Sequence, residues 1–236
     1  MSKKFRAVVT GGTRGIGYAI AERLLKEGIE VIVTGTSKDA AFPNGASYQQ
    51  VDFLDHISTN NFIDILTKGK VDILINNAGI NKIGKFSEID IDDFDNIINV
   101  NLKTPFLLCQ AVIPYMKKNS WGRIVNITSI FGSITKEYRA PYSSSKFGLD
   151  GMTAALSAEV SENGILANCV GPGFIDTDMT RTVLGEKGMM ELESRIPMKR
   201  LGNVKEVASF VAWLVSTDNT YLTGQNLMID GGFSRV

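Results

Sequence analysis

The chain has 236 residues, with 25 Lys and Arg against 25 Asp and Glu, 44% hydrophobic residues and 23 glycines. This is the composition of a soluble globular protein, and the length suits one α/β domain of up to roughly 250 residues. Zero formal net charge excludes the basic excess with which general nucleic-acid and anionic-membrane binders neutralise phosphate.

His56 is the single histidine, so multi-histidine zinc sites are excluded, no metal is expected, and a Ser-His-Asp triad would have to rest on that one residue. Cys109 and Cys169 lie in the apolar stretches LLCQAV and LANCVG, which suits reduced, buried thiols better than a disulfide framework. The start, MSKKFRAVVTGG, reaches glycine too soon for a signal peptide, and no uninterrupted apolar run approaches the roughly 18 residues of a membrane span. A cytoplasmic protein is expected, with no membrane or nucleic-acid partner.

Short β-branched runs alternate with longer helical patterns. Strands are predicted at AVVT (7–10), VIVTG (31–35), SYQQV (47–51), VDILIN (71–76), RIVNIT (123–128), ILANCV (165–170) and NLMID (226–230). Between them, apolar residues recur at spacings of three and four over 16–26, 90–117, 142–161 and 204–215, which predicts helices. Strand and helix in alternation predict a doubly wound α/β fold, about seven mostly parallel strands with helices on both faces. No linker or repeat divides residues 1–236, so a single domain is expected. The least patterned stretch, 176–201, carries four methionines and is expected to form a substrate-covering loop. The connection from 36 to 47 is too short for a helix.

The first strand runs into Thr10-Gly11-Gly12-Thr13-Arg14-Gly15-Ile16-Gly17 and then into YAIAERLLKEG. Such a unit permits a sharp turn, close approach of backbone to a pyrophosphate, and a helix N-terminus aimed at the anion. The same glycines also suit a purely structural bend, since the spacing is G-x-x-x-G-x-G rather than G-x-G-x-x-G. Where NAD sites usually place an acid for the ribose hydroxyls, this chain has Gly35-Thr36-Ser37. The missing carboxylate and the nearby Arg14 favour NADP(H). Asp39 leaves NAD(H) open, as does a solvated surface role for Arg14.

Tyr142 and Lys146, four apart in Tyr-Ser-Ser-Ser-Lys, share one helix face. A neighbouring ammonium stabilises a phenolate and makes tyrosine a usable proton carrier near neutral pH. Alone, the pattern also describes a packed phenol beside a solvated lysine.

Taken together, these motifs resemble the short-chain dehydrogenase/reductase family, along essentially the whole chain. Gly11 to Gly17 is similar to its cofactor turn, and Asn76-Asn77-Ala78-Gly79 to its Asn-Asn-Ala-Gly motif. Ser129 stands thirteen positions before Tyr142, and Asn101 in NVNLKTPF completes the tetrad. Pro172-Gly173-Phe174-Ile175-Asp176-Thr177 looks like the segment that meets the nicotinamide. The resemblance implies a Rossmann-type fold, a homotetramer, and reduction of a carbonyl by hydride from NADPH. It gives Tyr142 the role of acid, Ser129 that of a donor to the same oxygen, and Lys146 those of lowering the Tyr142 pKa and binding the nicotinamide ribose. Asn101 would hold a water that relays protons. Asp52 and Phe53 would flank the adenine, unless they are a helix-start acid and a core aromatic. Asn77, Ala78 and Gly79 would line the adenosine, and Ile175 and Thr177 would hold the carboxamide.

Within the family, TGGTRGIG, KVDILINNAGI, GPGFIDTDMTR and YLTGQNLMIDGG are similar to members that reduce 3-oxoacyl groups on acyl carrier protein. Arg123 matches a basic position turned to that acidic partner, and Lys117 and Lys118 add charge beside it. Asn163 stands where a second such arginine is expected. The tetrad alone is indifferent to what the carbonyl is attached to, so free ketones, sugars and polyols remain open as substrates. A non-catalytic cofactor-binding role would require a broken tetrad.

Overall fold

The computed structural model describes residues 4–236, apart from the side chains of 178, 179 and 181–187. In chain order the elements begin β1 (Arg6–Val9), α1 (Gly15–Lys26), β2 (Glu30–Gly35), β3 (Ser47–Gln50), α2 (His56–Lys68) and β4 (Ile73–Asn76). They continue α3 (Ile91–Ile98), α4 (Thr104–Lys118), β5 (Gly122–Ile127), α5 (Ala140–Val160) and β6 (Ile165–Pro172). The last are β7 (Ile175–Asp176), α6 (Asp178–Arg195), β8 (Gly202–Asn203), α7 (Val204–Leu214) and β9 (Asn226–Ile229).

Seven strands form one sheet in the order β3-β2-β1-β4-β5-β6-β9, every pair parallel. Alternation of side chains sorts each strand between two cores. Ala7, Val9, Ile73, Ile75, Val125 and Ile127 face the layer that holds α1 and α7. Val8, Leu74 and Ile124 face the layer that holds α2 and α4. Burial on both faces explains the near-continuous apolar runs. The chain reverses direction across the sheet between β1 and β4, which opens a crevice at their carboxyl ends, the place where such sheets bind ligands.

Three features differ from the sequence pattern. The helix expected over 90–117 is broken by a wide π turn, Asn99–Lys103, between α3 and α4. Residues 176–201 are mostly the helix α6, entered and left through the small parallel pair of β7 and β8, not a loop. Residues 56–68 form α2, which starts where Asp55 accepts a hydrogen bond from the Ile57 amide at 2.8 Å. The short connection between β2 and β3 has no helix, as its length requires. The helical run 91–118 is apolar enough on average to cross a membrane, but half of its apolar window is buried inside the fold. Cys109 and Cys169 are free and buried, and burial pushes both thiols up to about 12.

Candidate active site

At the crevice the turn after β1 is stitched to the turn after β4. The Thr10 hydroxyl accepts from the amides of Asn77 and Ala78 at 2.9 and 3.0 Å. Asn77 Nδ2 donates back to the carbonyls of Thr10 and Gly11 at 2.9 and 3.0 Å, and the Gly11 amide donates to Thr34 Oγ1 at 3.2 Å. Gly11 has φ +63, and a Cβ on Gly17 would sit 2.4 Å from both Gly11 O and Asn77 Nδ2, so both positions require glycine. Thr13 packs on Gly35, where an added Cβ would meet its methyl at 2.6 Å.

Helix α1 begins in this turn with no side-chain cap at Arg14 and no acid in its first turn. Its first amides therefore present free donors and the positive end of the helix dipole. Gly15, Ile16 and Gly17 form that first turn, and Arg14 and Thr36 are exposed on either side of it. Gln50 Nε2 donates to the Thr36 carbonyl at 2.9 Å, and the Tyr48 hydroxyl donates to the Ser37 carbonyl. Together these observations fit a dinucleotide phosphate. Thr10 and Thr34 were not among the residues singled out from the sequence. Their signal is position alone, a hydroxyl at the carboxyl end of each of two adjacent strands.

The four residues of the expected tetrad gather at the ends of β4 and β5. Ser129 follows β5 and accepts from the Phe131 amide at 3.2 Å. Its side chain lies near enough to the Tyr142 phenol, in the first turn of α5, to pull that phenol's pKa down. Lys146 stands a turn further along, buried, with Nζ donating to the Ile127 carbonyl at 2.8 Å and lying 5.6 Å from the Tyr142 ring centre. Asn101, in the π turn, is fully buried. Its Nδ2 donates to Ile80 O at 2.9 Å and to Ser145 Oγ at 3.1 Å, and its Oδ1 accepts from the Ile80 amide at 2.9 Å. Ser145 then donates to the Tyr142 carbonyl at 2.7 Å. A Cβ on Gly79 would come within 3.3 Å of Asn101 Oδ1 and 3.6 Å of Lys146 Nζ, so the Asn77-Ala78-Gly79 turn reaches the tetrad itself. The four residues expected to act together are thus brought to one place.

Burial raises the Tyr142 pKa above the ordinary phenol value, against the opposing hydrogen bond from Ser129 and the field of Arg139. The expectation that Lys146 depresses it is not met in this geometry, because Nζ is turned to the Ile127 carbonyl. Burial also lowers the Lys146 pKa to about 8.

Other expected residues fall into two groups. Pro172 ends β6, and the Gly173 amide donates to the Ile229 carbonyl at 2.8 Å. Thr177 caps α6 and faces the glycine turn, 3.9 Å from where a Gly15 Cβ would lie. Asp52 is exposed, and its carboxylate accepts from the Leu54 amide at 2.9 Å. The side chains of Phe53 and Ile175, however, belong to the cores. Phe53 packs edge-on to Phe62, and Ile175 joins the cluster behind α1, so only their main chain is available to a ligand.

Arg123 departs from the expected partner-facing position. It lies within the doubly covered sheet and is 5% exposed. Its guanidinium donates to the carbonyls of Gly122, Gly164 and Asn219 at 2.8, 3.2 and 2.9 Å and stacks 4.5 Å from the Trp121 ring centre. It does not face a partner. Lys117 and Lys118 are exposed.

The glycine turn and the cluster of Asn101, Ser129, Tyr142 and Lys146 share the carboxyl edge of one parallel sheet, the arrangement of a doubly wound oxidoreductase. A family model described as enoyl-(acyl carrier protein) reductase matches residues 11–234, and the chain belongs to the short-chain dehydrogenase/reductase family. A 3-oxoacyl-[acyl-carrier-protein] reductase of Salmonella typhimurium is 38% identical over 239 residues, 98% of this chain and 97% of that one. A solved structure described as a putative betaketoacyl-ACP reductase superposes with TM-score 0.90 at 30% identity, covering 100% of each chain. A gluconate 5-dehydrogenase from Burkholderia cenocepacia J2315, solved with NADP and tartrate, gives TM-score 0.89 at 29% identity over 98% and 96% of the two chains. The protein is an oxidoreductase similar to 3-oxoacyl-[acyl-carrier-protein] reductases.

Proposed function

We propose that the chain reduces the keto group of 3-oxoacyl thioesters, carried on acyl carrier protein, with NADPH as the hydride source. The observation that carries this reading is the convergence of Ser129, Tyr142, Lys146 and Asn101 beside Gly79. Gly11 to Gly17 and the free amides of α1 would hold the pyrophosphate, Asn77 to Gly79 the adenosine side, and the segment from Pro172 to Thr177 the nicotinamide. Arg14 and Thr36, with no acid at the end of β2, favour the 2′-phosphate of NADPH over NADH.

Held by these residues, the nicotinamide would be the source of hydride for the carbonyl carbon. Tyr142 gives its proton to the oxygen, and Ser129 donates a hydrogen bond to the same atom as charge grows there. Lys146 binds the ribose and the relay that returns a proton to Tyr142. Asn101 directs its side chain to Ile80 and Ser145, which leaves the main chain of the wide turn to hold the relay water. Exposed Lys117 and Lys118 offer an acidic carrier protein a basic edge. Phe106 and Phe147, half exposed on α4 and α5, support assembly as a homotetramer, and reduced thiols support a cytoplasmic location.

The gluconate 5-dehydrogenase likeness keeps a second reading, a reductase of free ketones, sugars or polyols. Following reduced-nicotinamide absorbance with acetoacetyl thioesters on carrier protein and on coenzyme A separates the two. Turnover with NADPH and not with NADH supports the leading reading. Turnover of sugars with none of either thioester defeats it.

A further inference from the structure

Arg139 stands outside the tetrad but against it. It is the residue that leads into α5, three positions before Tyr142. Its guanidinium carbon lies 5.5 Å from the centre of the Phe131 ring, and Phe131 is the residue whose amide is bound by Ser129. Arg139 and Tyr142 also sense each other's charge. The cation thus lies over a ring whose own amide is held by Ser129, three residues ahead of Tyr142.

That cation is short of partners. Its Nε is buried with no hydrogen-bond acceptor, and among the described residues no carboxylate pairs with it. Arg123 Nε is likewise buried without an acceptor, but the Nη groups of Arg123 reach three main-chain carbonyls, whereas no such bond is found for Arg139 among the described residues. Below Arg139 the ring of Phe131 continues into an aromatic row, with Phe174 6.2 Å from Phe131 and Phe233 5.0 Å from Phe174. Apolar surroundings strengthen a hydrogen bond that such a donor makes, and they make an unmade one costly. The terminal nitrogens of the guanidinium, rather than the enclosed Nε, are the donors that an acceptor brought by the substrate would reach.

We propose that Arg139 is a specificity-determining residue whose guanidinium binds a second oxygen of the substrate, the thioester carbonyl that lies two carbons from the carbon being reduced. This rests on the reading of the chain as a 3-oxoacyl thioester reductase. Ser129 and Tyr142 take the keto oxygen, Arg139 takes the thioester oxygen, and the two grips together orient the keto carbon. A free 3-oxo acid offers its carboxylate at the same distance, so the shared chemistry is an oxygen acceptor beta to the reacting carbonyl.

The test uses full-length enzyme with NADPH and three substrates: acetoacetyl-coenzyme A, free acetoacetate, and trifluoroacetophenone, an activated ketone with no second oxygen. Arg139→Met should lower kcat/KM for the acetoacetyl thioester by about 10- to 100-fold and leave the ketone within about threefold, the range for a lost hydrogen bond to a charged donor. Arg139→Gln, which keeps a neutral donor, should recover part of the loss, and NADPH affinity should not move in either variant. Wild-type preference for acetoacetyl-coenzyme A over acetoacetate identifies the thioester as the group bound; the reverse preference overturns that assignment. An equal loss on thioester and ketone, or no loss on either, in variants that stay folded overturns the proposal, because Arg139 would then act through Tyr142 or not at all. If the wild type reduces the ketone but neither thioester nor oxo acid, the parent reading falls and this one with it. That result differs from thioester turnover that is insensitive to Arg139, which leaves the parent reading intact.

Discussion

On the glycine-turn side of the crevice the groups proposed to bind cofactor are main-chain amides, held in place by residues notable for having no side chain. Gly17 tolerates no Cβ, because Gly11 O and Asn77 Nδ2 already occupy its space. On the tetrad side the working groups are side chains, buried and tied to backbone carbonyls, as Lys146 is to Ile127 and Asn101 to Ile80. The first side is shaped by exclusion and the second by chemistry. Steric damage to the first should therefore appear in cofactor affinity and stability, and chemical damage to the second in rate.

Tyr142 apart, the largest effect expected from breaking this division is at Ser129. Ser129→Ala removes a donor to the reacting oxygen, and a loss of about 100- to 1000-fold in kcat is expected with NADPH affinity unchanged. Steady-state kinetics beside a fluorescence titration of bound NADPH would check it. Next comes Gly17→Ala, where the added methyl forces apart the stitched turns at a cost of about 1–3 kcal/mol. Thermal unfolding should show a lower Tm, and NADPH should bind more weakly, while kcat at saturating cofactor is largely retained. A smaller effect is expected of Arg14→Gln, with NADPH affinity falling about tenfold and NADH affinity unchanged, as for a lost charge-assisted contact to phosphate. Comparative titration with the two nucleotides would show whether the loss is confined to NADPH.

A last effect is on pH dependence. Burial places the Lys146 pKa at about 8, below its ordinary 10.5. Between those values the unfolded chain keeps a proton that the folded chain has released. The contribution of Lys146 to stability therefore rises with pH across that window, by at most about 1.4 kcal/mol per pH unit. Denaturant unfolding of wild type and Lys146→Met should differ in slope there, the variant lacking the rise.

Legibility followed the same division. The strands were readable because burial on both sheet faces demands β-branched runs, and the glycine turn because few backbones reach such a bend without glycine. Tyr142 and Lys146 stood out by their spacing, whereas Ser129 and Asn101 were singled out only through the resemblance to the family. The π turn was not, since α3 and α4 keep one apolar period through it. Nor was α6, whose polar sequence, interrupted by Gly185 and Gly188, lacks a clear apolar stripe. Arg123 looked like a surface charge, although its place inside a strand flanked by β4 and β6 implied burial. Arg139 belongs to no motif, and its only signal was a position one turn before Tyr142.

The central claim, that Tyr142 delivers the proton to a carbonyl reduced by bound NADPH, is tested most directly by single turnover of the NADPH-loaded enzyme with an acetoacetyl thioester, wild type against Tyr142→Phe. The account predicts rapid loss of reduced-nicotinamide absorbance in the wild type and a rate lower by about 100- to 10,000-fold in the variant, with NADPH bound equally well by both. A Tyr142→Phe enzyme that reduces the thioester at the wild-type rate would contradict it.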